Sequence, residues 1–367
     1  SFINGDRAHL RYATVPPAVN SPQGGKALGV AFVVTGFRES LERYYELIHD
    51  LTERGYAVYA MDWRGQGGSQ RYRPKQPQRP NAQGYEHDAA DLNQFITDIV
   101  QPDHRHLGLP KILFAHSMGG NIALRYLHDY PGDIDAAVIT SPMLEIKTRW
   151  MPPWVARQIS RVADMIGAGD RYISTRGDFH ENELKHLKEI ASDRSIRQHL
   201  HLLFYRDMPE QRLGKPTFGW MRAAFRSMAV LRDPEYLKAI KTPILLASAG
   251  QDRLVTPRAI NRAARFLPKT TLSHFKTGLH SLWAEENEIR DRLWQDADLF
   301  LHRTVGTPLP KIVPWLRRQM QFDGRGPATS NLTDRRASRQ HLASGPNAAT
   351  PNIKPAETQP SAAFTPD

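Results

Sequence analysis

The sequence predicts an α/β domain on a mostly parallel sheet, with helices on both faces and a helical insertion. Three observations predict it. Short β-branched runs alternate with amphipathic stretches between residues 28 and 140. The alternation stops near Pro142, and a basic, aromatic, helix-patterned stretch follows, from Met143 to Lys238. The strand pattern then returns at Pro243.

Leu28–Thr35 (LGVAFVVT) reads as a buried strand. Glu39–Arg54 carries Leu41, Tyr44, Tyr45, Ile48 and Leu51 at helical spacing, and Gly55 is a plausible C-terminal glycine. Tyr56–Met61 is a second strand and Tyr85–Val100 a helix. Lys111–Ala115, Met118–Tyr130 and Ala136–Thr140 repeat the strand–helix–strand rhythm. Pro243–Ala249 and Thr270–Phe275 are the returning strands, and Glu285–His302 is a final amphipathic helix. The expected division is a core in two parts, 1–142 and 239–303, a helical cap at 143–238, and a basic, Pro/Ala-rich, mostly disordered tail at 304–367. Asp323–Asp367 holds six prolines but only Leu332, Leu342, Ile353 and Phe364 as large apolar residues, too few to offset the entropy of ordering. Pro310–Met320 mixes Ile312, Val313 and Trp315 with Lys311, Arg317 and Arg318; it reads either as an interfacial anchor or as a strap on the domain surface.

The 367 residues are 40% hydrophobic and 9% aromatic, enough for a sizeable core, which excludes collagen-like and wholly disordered chains. The longest apolar run, Leu28 to Val34, is far short of the ~18–20 residues of a membrane span. Ser1–Leu10 carries no apolar signal core, so no export signal is expected within it. There is no cysteine, which excludes disulfides, thiolate metal sites and cysteine nucleophiles and is compatible with a reducing, cytoplasmic location. A net charge of +11 favours anionic partners such as membrane surfaces or nucleic acids. No nucleic-acid-binding motif accompanies the charge, so nucleic acid is not an expected partner.

Ala115-His116-Ser117-Met118-Gly119-Gly120 follows a predicted strand and opens a predicted helix. That is the setting of a nucleophile elbow, where small flanking residues let a serine project above the sheet. The usual first glycine is Ala115 here. A serine needs a base, and the base an orienting acid, in the order Ser, acid, His for this architecture. Asp252 follows the strand Pro243–Ala249 at its C-terminal end, where sites of open α/β sheets form. His280 lies between the strand Thr270–Phe275 and the last helix; His274, its competitor, sits inside the strand pattern. The backbone N–H groups of Phe37, in Thr35-Gly36-Phe37-Arg38-Glu39-Ser40, and of Met118 are the candidate oxyanion donors. Glu39 is expected to fix that loop.

Two tempting signals read as structural. Asp62–Ser69 (DWRGQGGS) lacks the helix that a dinucleotide-binding glycine loop needs, so it is expected to be a turn with Asp62 and Arg64 paired internally. His104 and His106 lack a partner carboxylate–histidine helix motif and read as exposed loop histidines, not metal ligands.

GFRES…RYYEL, MDWRGQGGS, AHSMGGNIAL, SPML and AGQDRLV, in this order, resemble the serine hydrolases of the α/β-hydrolase fold. Within them, these motifs are most similar to the lysophospholipase / monoacylglycerol lipase branch, over residues 25–300. The resemblance implies hydrolysis of a monoacyl lipid ester without cofactor or metal, under a lid, with peripheral contact to the inner membrane. It implies Ser117 as nucleophile, Asp252 as acid, His280 as base and the Phe37 and Met118 amides as oxyanion donors. Thr35 stands where many lipases have histidine, and Ser281 where this branch often has glutamate. Monoacylglycerol lipase, a general carboxylesterase or thioesterase, and a catalytically inactive binding protein are the alternatives. In the insertion, Lys147, Arg149, Arg157 and Arg161 alternate with Trp150, Met151, Trp154, Val155 and Ile159. That pattern suits an interfacial segment and equally a cap helix packed on the core; the two are not exclusive.

Overall fold

The computed structural model describes residues 1–21, 24–148, 151–175, 177–180, 192 and 195–309. All of them belong to one compact unit, Ser1–Ile312. The second unit, Val313–Asp367, lies outside the described residues, as do the whole Pro310–Met320 strap and the expected tail beyond Leu309; Thr304 and Val305, counted with that tail, instead end the last helix. Arg149 and Trp150 lie outside them too.

A seven-stranded sheet organises the unit. Its strands are β3 (Tyr12–Val15), β4 (Gly29–Val34), β5 (Tyr56–Met61), β6 (Lys111–His116), β7 (Ala136–Thr140), β8 (Ile244–Ala249) and β9 (Thr270–Phe275), in the spatial order β3-β5-β4-β6-β7-β8-β9. Only β3 runs antiparallel. Strands β4 to β8 are buried and mostly apolar along their length because both faces are covered. A separate ribbon, β1 (Phe2–Ile3) with β2 (His9–Leu10), precedes the sheet.

One face is covered by α1 (Tyr45–Glu53) and α9 (Asn287–Val305). Leu47, Ile48 and Leu51 of α1 and Leu293, Trp294, Ala297 and Leu301 of α9 meet Val33, Val58 and Phe114 of the sheet. Burying each such side chain contributes about 1.5–3 kcal/mol. The other face carries α2 (Tyr85–Phe95), α3 (Met118–Asp129) and α8 (Pro257–Ala264). Between β7 and β8 run α4 (Pro153–Met165), α5 (Ile196–Asp207), α6 (Phe218–Val230) and α7 (Pro234–Ala239). Helix α6 is continuous with the core: Trp220, Met221, Ala224, Phe225 and Met228 bury among residues of α2 and α3.

Four local expectations are corrected. The first helix starts later than Glu39: Leu41–Tyr44 is a 3-10 turn, because Glu39 and Ser40 belong to the loop after β4. Tyr85–Val100 is not uniformly α-helical; its last five residues, Ile96–Val100, are a π-helix. Asp62 and Arg64 are not partners. Arg64 forks onto Asp91 at 2.5 Å to each oxygen and reaches Asp6 at 2.7 Å, while Asp62 takes Arg11 Nε at 2.6 Å. Asp62 turns inward to hold the N–H groups of Leu41 and Gly68, which leaves Arg64 to the α2 side. His106 is not an exposed loop residue either. Its ring stands edge-on to Tyr59 at 5.7 Å, with Nε2 3.5 Å from Asp103. The side chain of His104 lies outside the described residues.

Candidate active site

The parallel register brings the C-terminal ends of β4, β6, β8 and β9 to one edge: Val34 pairs with Ala115, His116 with Thr140, and Ala249 with Phe275. Every candidate residue hangs from a loop at that edge.

Ser117 sits between β6 and α3 with φ 53 and ψ −116, a conformation costing on the order of 1–3 kcal/mol for a residue with a side chain. The surroundings over-determine it. Its N–H donates to Thr140 O at 3.0 Å, and its carbonyl accepts from Asn121 N at 3.1 Å and Met143 N at 2.9 Å. The small residues that follow are required: a Cβ on Gly119 would run into the Thr35 carbonyl, and one on Gly120 would sit 2.8 Å from Ile139 Cγ2. Gly119 lets α3 approach the loop after β4, where an oxyanion pocket has to form, and Gly120 lets it pack against β7 and Pro142.

Asp252 and His280 meet Ser117 from the other side of the sheet edge. His280 Nε2 lies 2.8 Å from Ser117 Oγ, and His280 Nδ1 lies 2.7 Å from Asp252 Oδ2. With Nδ1–H donated to the carboxylate, Nε2 is free to accept the serine proton. Asp252 Oδ1 accepts from the N–H groups of Leu254 at 2.8 Å and Val255 at 2.9 Å. Burial works against its charge, but His280 and these two N–H groups outweigh it and hold the carboxyl below its ordinary range. His274 is elsewhere, with Nδ1 2.9 Å from Ser248 Oγ.

The loop after β4 is braced from three directions. Trp63 Nε1 donates to Thr35 O at 2.8 Å, and Gln66 Nε2 donates to Gly36 O at 2.8 Å. Glu39 Oε2 accepts from Gly36 N at 2.6 Å and from the Tyr44 hydroxyl, and Glu39 Oε1 lies 3.1 Å from Arg43 Nη1. Burial opposes ionisation of Glu39, yet Arg43, His116, Tyr44 and the Gly36 N–H together bring it down to about 2. The Phe37 ring lies 4.1 Å, centre to centre, from Trp220 of α6, which covers this loop. Among the described residues, no hydrogen bond occupies the amides of Phe37 or Met118.

Several members of this arrangement were not singled out from the sequence. His116 packs 4.8 Å from the His280 ring, with Nδ1 3.0 Å from Thr140 Oγ1; burial pushes its pKa down to about 4, so it stays neutral. Arg43 Nη2 donates to Ser281 Oγ at 3.0 Å. Gln66 and Trp63 carry no motif signal beyond the turn that contains them. Behind His280, a cavity of about 360 Å³ lies between α1, α5 and the 281–284 segment. Its wall toward the candidate residues is His116 and Ser281, and Tyr45, Ile196, Leu200 and Phe204 give it an apolar lining; Ser117 does not reach it.

A serine hydroxyl paired to an imidazole, itself paired to a buried carboxylate, can act as a nucleophile with a base and an orienting acid. The sheet order, the strained serine at the end of β6 and the acid and histidine loops after β8 and β9 define the α/β-hydrolase class. A family model described as serine aminopeptidase, S33, matches residues 25–287, and the chain belongs to that family. Among curated proteins, it is 27% identical over 270 residues to a probable lysophospholipase L2 of Haemophilus influenzae, covering 74% of this chain and 82% of that one. It is 33% identical over 245 residues to lysophospholipase L2 of Escherichia coli K12, covering 64% of this chain and 66% of that one. Among solved structures, a soluble variant of monoglyceride lipase from Saccharomyces cerevisiae superposes with a TM-score of 0.66 at 20% identity, covering 82% of this chain and 94% of that one. The last likeness concerns the fold. Family and relatives together make the chain a carboxylic ester hydrolase.

Proposed function

We propose that the protein hydrolyses the ester bond of monoacyl lipids, foremost lysophospholipids, through an acyl-enzyme on Ser117. The pairing of Ser117 Oγ with His280 Nε2 at 2.8 Å, and of His280 with Asp252 at 2.7 Å, is the observation that carries this reading. His280 takes the hydroxyl proton as Oγ attacks the ester carbonyl. The carbonyl oxygen, now negative, is held by the N–H groups of Phe37 and Met118. The tetrahedral adduct collapses, the C–O bond to the leaving alcohol breaks, and His280 gives that alcohol its proton. Water then adds to the acyl-serine by the same route and releases the fatty acid.

The relatives' names support the lipid class: lysophospholipase L2 in two bacteria and monoacylglycerol lipase in Mycolicibacterium smegmatis, the last at 26% identity. The surface of α4 supports peripheral contact with an anionic bilayer. Trp154 (69% exposed), Val162, Met165 (83%) and Ile166 line one exposed stripe, and Arg157 and Arg161 are exposed on the same helix. Rings and aliphatic groups at headgroup depth with cations beside them suit such a surface. Among the described residues no helix is long and apolar enough to cross a membrane.

A panel of lysophosphatidylethanolamine, lysophosphatidylcholine, monoacylglycerol and p-nitrophenyl butyrate tests the assignment. Lysophospholipids are expected to give the highest kcat/KM. A preference for monoacylglycerol by tenfold or more would instead establish the second reading, which the M. smegmatis relative favours.

A further inference from the structure

One buried carboxylate ties the loop carrying His280 to the segment that precedes α5. Glu285 is 1% exposed. Its Oε1 accepts from the Leu279 N–H at 2.6 Å, one residue before His280. Its Oε2 accepts from the Ser192 N–H at 3.1 Å, across 93 residues of chain. Three further bonds close the same seam. Ser195 Oγ donates to Ala284 O at 2.5 Å, Arg197 Nη1 donates to Glu285 O at 3.0 Å, and Ser192 Oγ donates to Glu286 Oε1 at 2.5 Å. Arg197 also forks onto Glu46 of α1 at 2.6 and 2.8 Å.

The division of labour on Glu285 is the informative part. A loop N–H such as that of Leu279 can be satisfied by any nearby carbonyl. Here it is satisfied by a carboxylate whose burial opposes its charge. Such a group is tolerated only when its oxygens are bonded, and the second oxygen is bonded to a different element. The position of Leu279, and so of His280, therefore depends on Ser192 staying in place. The opposite side of His280 has no such freedom, because Asp252 is fixed by the N–H groups of its own loop.

We propose that Glu285 is a positioning residue that couples the seating of Ser192, Ser195 and Arg197 to the placement of His280 over Ser117. The proposal rests on His280 being the base. With the seam closed, Leu279 is held and the imidazole stands at hydrogen-bond distance from the serine. With the seam open, water reaches Glu285, the hold on Leu279 loosens, and the base drifts. Chemistry is thereby tied to a seated cap.

Four variants of the full chain test this on p-nitrophenyl butyrate: Glu285→Gln, Ser195→Ala, the double variant and Ser117→Ala, each with kcat, KM and a melting curve. Glutamine keeps the length and one acceptor but turns an NH₂ toward one of the two N–H donors. Glu285→Gln is expected to lower kcat about tenfold with KM within about twofold, since small misplacements of a reacting group cost that much or more. Ser195→Ala is expected to lower kcat about threefold, and the double variant to match Glu285→Gln alone, as for two members of one device. A purely structural carboxylate would lower the melting temperature and leave kcat at 25 °C untouched. Parental kcat in Glu285→Gln, or losses that multiply in the double variant, overturns the proposal. If Glu285→Gln does not fold, parental kcat in Ser195→Ala overturns it alone. Ser117→Ala separates the two readings: full activity there removes the base itself, whereas an inactive Ser117→Ala beside a fully active Glu285→Gln removes only the coupling.

Discussion

Asp252, His280, His116 and Glu39 are buried and hydrogen-bonded at the edge of the sheet, whereas α4 leaves Trp154, Val162, Met165 and Ile166 in solvent. At the sheet edge, polar groups are hidden and their geometry is over-determined. On α4, apolar groups are exposed, with no partner from the described residues covering them. The first arrangement suits a reaction whose atoms must be aligned to a fraction of an ångström. The second suits a surface that binds something soft and extended, for which exact placement is unimportant. In the proposed function, reactivity and delivery fall to different parts of one chain.

The comparison breaks most readily at the acid. Asp252→Asn keeps shape but cannot hold the imidazole in the required tautomer, and kcat is expected to fall about 10³–10⁴-fold in ester hydrolysis. A loss under tenfold would mean that the sheet-edge geometry is not what drives the reaction. Glu39→Gln probes the brace instead. It keeps the length but removes the buried charge that faces Arg43 and holds the Gly36 N–H, and kcat/KM is expected to fall about 10–100-fold through the Phe37 amide. Stability should respond too. The Glu39 carboxyl is depressed to about 2 in the folded chain, so its contribution is present above its ordinary pKa of 4.5 and is lost as pH falls toward 2. Urea midpoints at pH 3 and 6 should therefore differ less in Glu39→Gln than in the parent.

The exposed face gives the next effect. Trp154→Ser with Met165→Ser is expected to weaken co-sedimentation with phosphatidylglycerol vesicles about tenfold. Replacing Arg157 and Arg161 should remove about 1 kcal/mol each, and only on anionic vesicles. Full binding by both variants would make α4 an ordinary cap helix. The smallest effect lies in the core. Asp88 is fully buried, and burial, with Asp91 adding to it, raises its carboxyl to about 8. The folded chain then keeps a proton that the unfolded chain releases, so its stabilisation is complete below about pH 4 and declines as pH rises toward 8. Asp88→Asn should gain melting temperature relative to the parent at pH 8 but not at pH 4, by differential scanning fluorimetry.

What could be read in advance divides along physical lines. Ala136–Thr140 and Tyr56–Met61 are legible as strands because burial on both faces demands unbroken apolar runs. The ribbon of Phe2–Ile3 with His9–Leu10 is not legible, since two-residue strands have no period to detect. The serine, acid and histidine candidates stand out because a tight strand–helix turn and glycines after strands leave a local signature. Their 2.8 and 2.7 Å separations depend on register between distant strands. The braces carry no local signature at all. Gln66 reaches Gly36, and Glu285 reaches Ser192, through tertiary packing alone. Arg64 shows the reverse error: Asp62 is its neighbour in sequence, but their side chains serve opposite sides of the same turn.

Treatment of the purified chain with a fluorophosphonate, followed by peptide mass mapping, tests the acyl-enzyme most directly. One adduct is expected, on Ser117, lost in His280→Ala while the fold persists. An enzyme that hydrolyses lysophospholipid yet carries no adduct at Ser117, or carries it on another residue, would contradict it.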